Sequence, residues 1–158
     1  MKEDAKTLSY RGWAYLKLEA PRPALLDFEA ALRLEPGQSD AVSGRGCARV
    51  RLGQVAAALQ DAETLVRPGQ TATLLLQAAC IYSRAVGQLE AGSGGRSVSA
   101  GAVHQYQERA VELLRAALER VPAGERPRFW RTNVEREPDL LPVRRSTGML
   151  ELARSYGR

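Results

Sequence analysis

The chain of 158 residues has few of the residue types from which catalytic and metal sites are usually built. It contains one histidine, His104, and two cysteines, Cys47 and Cys80, which lie 33 positions apart. This spacing is unlike that of a zinc knuckle or a redox CxxC pair, and the single histidine has no second histidine with which to share a metal. We therefore expect no metal site, no cofactor and no catalytic centre.

Long apolar runs and phosphate-binding motifs are also missing. No stretch approaches the roughly 18 consecutive apolar residues of a membrane span, and the first residues, MKEDAK, lack the apolar core of a secretory signal. The glycine-containing segments GRGCAR and GSGGRS do not end in the lysine and hydroxyl residue of a nucleotide-binding loop. These absences predict a cytoplasmic protein that is neither an enzyme nor a membrane protein.

The charge of the chain is only mildly basic. It has 23 Lys and Arg against 18 Asp and Glu, a formal net charge of +5, which is weaker than the footprint of a dedicated nucleic-acid-binding domain. The tail, residues 123–158, nevertheless holds eight arginines against five acidic residues and includes RPRFWRTN. Interleaved arginines and aromatics can stack on nucleic acid. The helical spacing instead favours aromatics inward and arginines outward, so nucleic-acid binding is the second hypothesis.

What the sequence does contain is a pattern that recurs about every 34 residues. A small residue is followed three positions later by an aromatic or its substitute, and the next helix carries further small or apolar residues. The three copies begin with Gly12 and Tyr15, Gly46 and Arg49, and Ala79 and Tyr82, and continue with Ala24, Phe28 and Ala31, with Ala58, Ala62 and Leu65, and with Ala110, Leu114 and Ala117. A repeat of this length is typical of stacked helix hairpins, whose usual role is to present a surface to a partner.

Prolines and glycines mark where the predicted helices end. The predicted helices span residues 5–18, 23–34, 41–52, 55–66, 71–86 and 104–121, in hairpins of about 5–38, 39–71 and 72–124. Residues 87–103, rich in glycine, serine and alanine, are predicted to be a flexible insertion in the third hairpin. Residues 125–158 are predicted to cap the open apolar end of the array, with Phe129, Trp130 and Leu150 filling it.

These residues resemble the tetratricopeptide repeat (TPR) family. The first hairpin matches the family's pattern through Gly12, Tyr15, Ala24, Phe28, Ala31 and Pro36; the third is similar through Ala79, Tyr82, Ala110, Leu114, Ala117 and Pro122, and the second through Gly46 and Ala58. The resemblance implies an all-α fold, a right-handed superhelical array of three hairpins with a C-terminal capping segment. The tail also resembles the end of such arrays in large bacterial multidomain proteins, including serine/threonine protein kinases. On that resemblance the chain would be the end of something longer.

The resemblance also implies where a partner would bind. In the TPR family the first helix of each hairpin lines a concave groove that receives a peptide. The corresponding positions here are two rows, Trp13, Cys47 and Cys80 beside the cationic Lys17, Arg51 and Arg84. We therefore expect a non-enzymatic protein-interaction scaffold, and the cationic row favours an acidic peptide. Two alternatives without a binding role stay open. The cationic row could simply be a solvated, exposed face, and Trp13 could be part of the core.

Two further expectations concern the partner. The lysine and asparagine of the family's carboxylate clamp are replaced by Ser9 and Trp13, so binding to the acidic tail of a chaperone is disfavoured. Self-association through an apolar edge of the first hairpin, near Leu8 and Leu25, is the third hypothesis. The oligomeric state is left open by the sequence.

Overall fold

A computed structural model describes residues 4–92 and 99–157 of the chain. Every regular element in these residues is a helix, which confirms the predicted all-α class. The chain divides into two compact units, Met1–Arg67 and Pro68–Arg158. The expected boundary between the hairpins and the tail, near residue 124, falls inside the second unit.

The first unit consists of two helix hairpins. Its helices are α1 (Ala5–Lys17), α2 (Pro21–Leu34), α3 (Ser39–Arg51) and α4 (Val55–Thr64), and each packs on the next along the chain. The bounds agree with the predicted ones to within two residues, because proline opens α2 and short polar turns separate the other helices. The carboxylate of Asp4 caps α1 by accepting the Thr7 backbone N–H at 2.7 Å. This hydrogen bond lowers the pKa of the Asp4 carboxyl.

The core of the first unit is organised around the ring of Phe28. This residue has no exposed surface, and its ring lies directly against the backbones of Gly12 in α1 and Gly44 in α3. A Cβ built on Gly12 would be only 2.9 Å from the ring, and a Cβ on Gly44 would overlap it. The edge of the Trp13 indole completes the cluster, with ring centroids 5.5 Å apart. Glycine is therefore required at both positions because the phenyl ring occupies the space of a side chain.

The second unit contains the third hairpin, and its helices are longer than predicted. They are α5 (Ala72–Ala91) and α6 (Ala100–Glu119), so both ends of the predicted insertion 87–103 are helical. The sequence QLEA after Gly87 consists of strong helix formers, which carry α5 onward past the glycine. At the other end the Ser99 hydroxyl caps α6 by accepting the Ala102 N–H at 3.4 Å. The rest of the predicted loop includes residues 93–98, which lie outside the described residues.

The tail folds against this hairpin in short, irregular turns. A short helix α7 (Arg126–Phe129) runs into a π-helical turn (Trp130–Val134), followed by a 3-10 segment (Pro138–Val143) and helix α8 (Thr147–Tyr156). The 3-10 segment packs on α5, and α8 packs on α6. The buried apolar side chains of the described tail are Trp130, Val134, Leu140, Val143, Met149 and Leu152.

One of the three residues predicted to fill the open end of the array was misplaced. Trp130 is buried and stacks on Tyr156 with ring centroids 6.3 Å apart, and Phe129 is half-buried. Leu150, however, is 46% exposed. The inward face of α8 is set by Met149 and Leu152, which are three residues apart, and this spacing turns Leu150 toward solvent.

Candidate functional site

Trp13 is partly in the core and partly on the surface. Its indole is half-buried, donates Nε1–H to Oδ2 of Asp40 at 3.1 Å, and packs edge-on against Phe28. The ring is therefore fixed from two sides, by a hydrogen bond from α1 to α3 and by an aromatic contact. The explanation that Trp13 belongs to the core therefore applies to the part of the ring that packs on Phe28, while the rest of the ring remains accessible.

The cationic residues predicted in the first unit have different surroundings. Lys17 is exposed at the end of α1. Arg51 has a side chain only 15% exposed, donates Nη1–H to the carbonyl of Leu16 at 2.8 Å, and lies 3.7 Å from Glu19 Oε1. The guanidinium thus binds a carbonyl in the last turn of α1, which also accepts the Glu19 backbone N–H at 3.2 Å. Arg51 connects α3 to α1, and it does not extend freely into a groove.

The remaining predicted residues are also engaged or buried. Cys47 in the first unit and Cys80 in the second are both buried, and neither forms a disulfide. Arg84 donates Nε–H to Oδ1 of Asp139 at 2.6 Å and so ties α5 to the tail. Of the six residues predicted to line a groove, Lys17 is exposed, Trp13, Arg51 and Arg84 are half-buried, and the two cysteines are buried. Arg51 and Arg84 are held by hydrogen bonds to groups far away along the chain, and the spacing of the repeat does not predict these bonds.

The first unit contains a repeated ion pair that was not predicted from the sequence. Arg11 donates Nε–H and Nη2–H to the two carboxylate oxygens of Asp27, at 2.6 and 2.7 Å. Arg45 binds Asp61 in the same way, at 3.1 and 2.6 Å. Each arginine precedes its aspartate by 16 residues, and the second pair lies one repeat after the first. The signal was present in the sequence, because the 34-residue period applies to these charges as well as to the small residues.

The second of these pairs includes a third residue. Arg49 occupies the position of the aromatic in the repeat, and its Nη1 donates to Asp61 Oδ2 at 2.9 Å. The same guanidinium lies 3.6 Å from Glu29 Oε1 of α2. Asp61 is only 2% exposed and binds two arginines. Substitution of the aromatic by Arg49 therefore replaces ring packing with an ionic cluster.

A largely exposed stripe on α1 was not predicted either. Lys6, Tyr10, Trp13 and Lys17 follow one another at intervals of four, three and four residues, which places them on one face of the helix. Tyr10 is 71% exposed, and both lysines are exposed. We call these four residues the α1 stripe. It combines two cations with two aromatic rings, and its spacing was readable from the sequence.

The apolar edge predicted for self-association is not formed as expected. Leu8 is 5% exposed and belongs to the core, and Leu25 is half-buried. The large apolar side chains that are exposed on the first unit are Tyr10, Leu18, Leu26 and Leu34. Leu8 is drawn inward because α2 packs on the face of α1 that carries it.

Two surface cavities lie in the second unit. The larger, of about 420 Å³, is lined by side chains of mixed charge that include His104, Glu90, Glu108 and Arg145. The smaller, of about 310 Å³, lies between the end of α6 and the π-helical turn. Among residues 4–92 and 99–157, no group of three or more His, Cys, Asp or Glu side chains is arranged to hold a metal ion. No helix in that part of the chain is both long and apolar enough to cross a membrane.

The helices and their contacts define the class of this protein as all-α, with helices packed as hairpins. Comparison of the chain with protein-family models, with curated proteins and with solved structures found no match.

Proposed function

We propose that the chain is a non-enzymatic protein-interaction module of TPR-type hairpins, and that it binds an acidic peptide segment through the α1 stripe. The observation that carries this proposal is the fixed position of Trp13 within the stripe. A ring already held by Asp40 and Phe28 loses little conformational freedom on binding, and rigid aromatic residues contribute strongly to protein interfaces.

The charges of the stripe favour acidic partners. Lys6 and Lys17 are exposed at the two ends of the stripe, where they can attract carboxylates. Arg51 and Arg84 bind groups inside the protein, so the proposed site depends on lysine and not on the longer cationic row. The superhelical arrangement of the hairpins and a cytoplasmic location remain predictions.

The proposal can be tested with an array of acidic peptides at physiological salt. The informative variant is Tyr10→Ala with Lys17→Glu, because both side chains are exposed and their loss should leave the fold intact. We expect at least a tenfold weaker affinity, equivalent to about 1.4 kcal/mol. The matched control is Leu26→Ala with Arg33→Glu, which alters an exposed apolar residue and an exposed cation on α2 of the same hairpin.

Circular dichroism should first show that both variants are folded. If the α1 variant binds the same peptides as the intact chain, or if the α2 control loses as much affinity, the stripe is not the site. If the intact chain binds no acidic peptide, the proposed function itself is wrong.

A further inference from the structure

The smaller cavity of the second unit is a groove with an unusual wall. It lies where the C-terminus of α6 meets the π-helical turn, and Arg120, Arg128, Phe129, Thr132 and Asn133 contribute to its lining. The groove has a volume of about 310 Å³, which suits a few side chains of a partner. Every residue that shapes it belongs to the same unit of the chain.

The π-helical turn makes one wall of this groove rigid. The Glu135 N–H donates to the carbonyl of Trp130, five residues back, at 2.9 Å. Two side chains brace the same turn, because the Thr132 hydroxyl donates to the Arg128 carbonyl at 2.6 Å and the Asn133 amide donates to the Phe129 carbonyl at 3.2 Å. Single π-helical turns of this kind are often found at functional sites.

The two arginines of the groove are available to a ligand. Arg120 and Arg128 are exposed, and within the described part of the chain neither guanidinium group has a hydrogen-bond or ion-pair partner. The neighbouring Arg126, by contrast, donates Nε–H to the Val121 carbonyl at 3.0 Å and serves the fold. Glu125 is the one acidic side chain in the lining. The groove therefore carries a net positive charge presented by guanidinium groups, which bind carboxylates through paired N–H donors.

The aromatic side chains decide between an acidic peptide and nucleic acid. Binding of single-stranded nucleic acid relies on successive aromatic rings on which bases stack. Here Trp130 is buried against Tyr156, so only the half-buried Phe129 remains in the groove. One ring and two guanidinium groups match an acidic side chain beside an apolar one, and they do not provide a track for a phosphate backbone.

We propose that this groove is a second binding site, which takes an acidic residue and a neighbouring apolar residue of a protein partner. The carboxylate would lie between Arg120 and Arg128, and the apolar residue would rest on Phe129. Asn133 retains its side-chain oxygen as an acceptor for a peptide N–H. The inference rests on the proposed function in one respect, since it assumes that the partner is a protein with an acidic segment.

The test is an NMR titration of the full ¹⁵N-labelled chain with a peptide of four glutamates and one phenylalanine. We expect the amide signals of residues 120–133 to shift, and Arg120→Glu with Arg128→Glu to weaken this response at least tenfold. Arg115→Glu is the control, because Arg115 is exposed on the same helix α6 and does not line the groove. Arg128→Lys, which keeps the charge but loses the paired donors, should weaken binding by a smaller factor.

The outcomes separate this inference from the proposed function. If the peptide shifts only signals of the α1 stripe, or if the double arginine variant responds like the intact chain, the groove is not a site while the proposed function stands. If the peptide shifts no signal in either place, both are wrong. If an oligothymidylate of ten nucleotides shifts residues 120–133 at lower concentration than the peptide does, the groove binds nucleic acid and the inference is overturned.

Discussion

The two units of the molecule cover their hairpins in different ways. In the first unit the hairpin of α1 and α2 packs on the similar hairpin of α3 and α4. The ring of Phe28 fills the space left by glycines in α1 and α3. In the second unit the hairpin of α5 and α6 is covered by a tail that does not repeat. The tail uses glycines too, because Pro142 packs against Gly87 and Val111 of α6 packs against Gly148. In both units, therefore, a large side chain packs closely against the backbone of a glycine.

The units differ more clearly in how they place their charges. The first unit repeats one ion pair in each hairpin, with aspartate 16 residues after its arginine. In the second unit Arg84 pairs with Asp139, which lies 55 positions further along the chain. A pair that recurs with the repeat can be read from the sequence, whereas a pair between a helix and an irregular tail cannot. The following experiments test whether this difference matters for stability.

The largest effect is expected at Asp61. Substitution Asp61→Asn leaves Arg45 and Arg49 without their buried counter-charge, and loss of one partner from a buried pair costs about 3 kcal/mol. Asp27→Asn should cost roughly half as much, because Arg11 is 44% exposed and can be solvated. Urea unfolding followed by Trp13 fluorescence in a Trp130→Phe background would measure both. Glu35→Gln, at an exposed position, should change stability by less than about 0.5 kcal/mol, and equal losses at Asp27 and Asp61 would contradict the ranking.

The next effect is expected at Gly44. A methyl group at this position overlaps the buried ring of Phe28, and overpacking of this kind costs about 2 kcal/mol. The same denaturation experiment should show no such loss for Gly37→Ala, because a Cβ there meets nothing within 4 Å. Adding Phe28→Leu to Gly44→Ala should restore part of the stability. A simple sum of the two losses would mean that the ring does not require the glycine.

A smaller and more local effect is expected in the second unit. Asp139→Asn weakens the ion pair with Arg84 and should cost about 1.5 kcal/mol, mainly in the stability of the tail. Hydrogen exchange should speed up at the amides of residues 126–156 while those of α1 to α4 keep their protection. Glu151→Gln on the exposed side of α8 is the control. Equal loss of protection in both units would show that the tail is not a separate element of stability.

The smallest effect concerns the helix caps and depends on pH. The pKa of Asp4 is lowered in the folded chain by the Thr7 N–H, so its contribution to stability is present above the unfolded pKa of about 4 and is lost as the pH falls through the folded value. Asp4→Asn keeps an acceptor for Thr7 but should remove this dependence. The neutral cap Thr71 of α5, which accepts the Leu74 N–H at 3.3 Å, should show none. Thermal unfolding between pH 2 and 6 would compare the two.

Much of the fold could be predicted because its signals are local. Helix ends follow from prolines, glycines and polar turn residues, so the first four helices were placed to within two residues. The predicted insertion 87–103 was too long because its glycines and serines hid the helix-forming sequence that extends α5 to Ala91. Leu150 was assigned to the wrong environment, and the apolar edge expected near Leu8 and Leu25 is not exposed, since composition does not say which face of an amphipathic helix a neighbour will cover.

The sequence by itself determined the helices, their pairing into hairpins and the positions where small residues had to stand, because these depend on spacing along the chain. Only the tertiary structure decided which charges remain free. Arg51 and Arg84 were equivalent to Lys17 in the repeat, yet one binds the Leu16 carbonyl and the other Asp139. An arginine next to a carbonyl or carboxylate acceptor is held by it, and the positions of acceptors in space follow from how the helices pack.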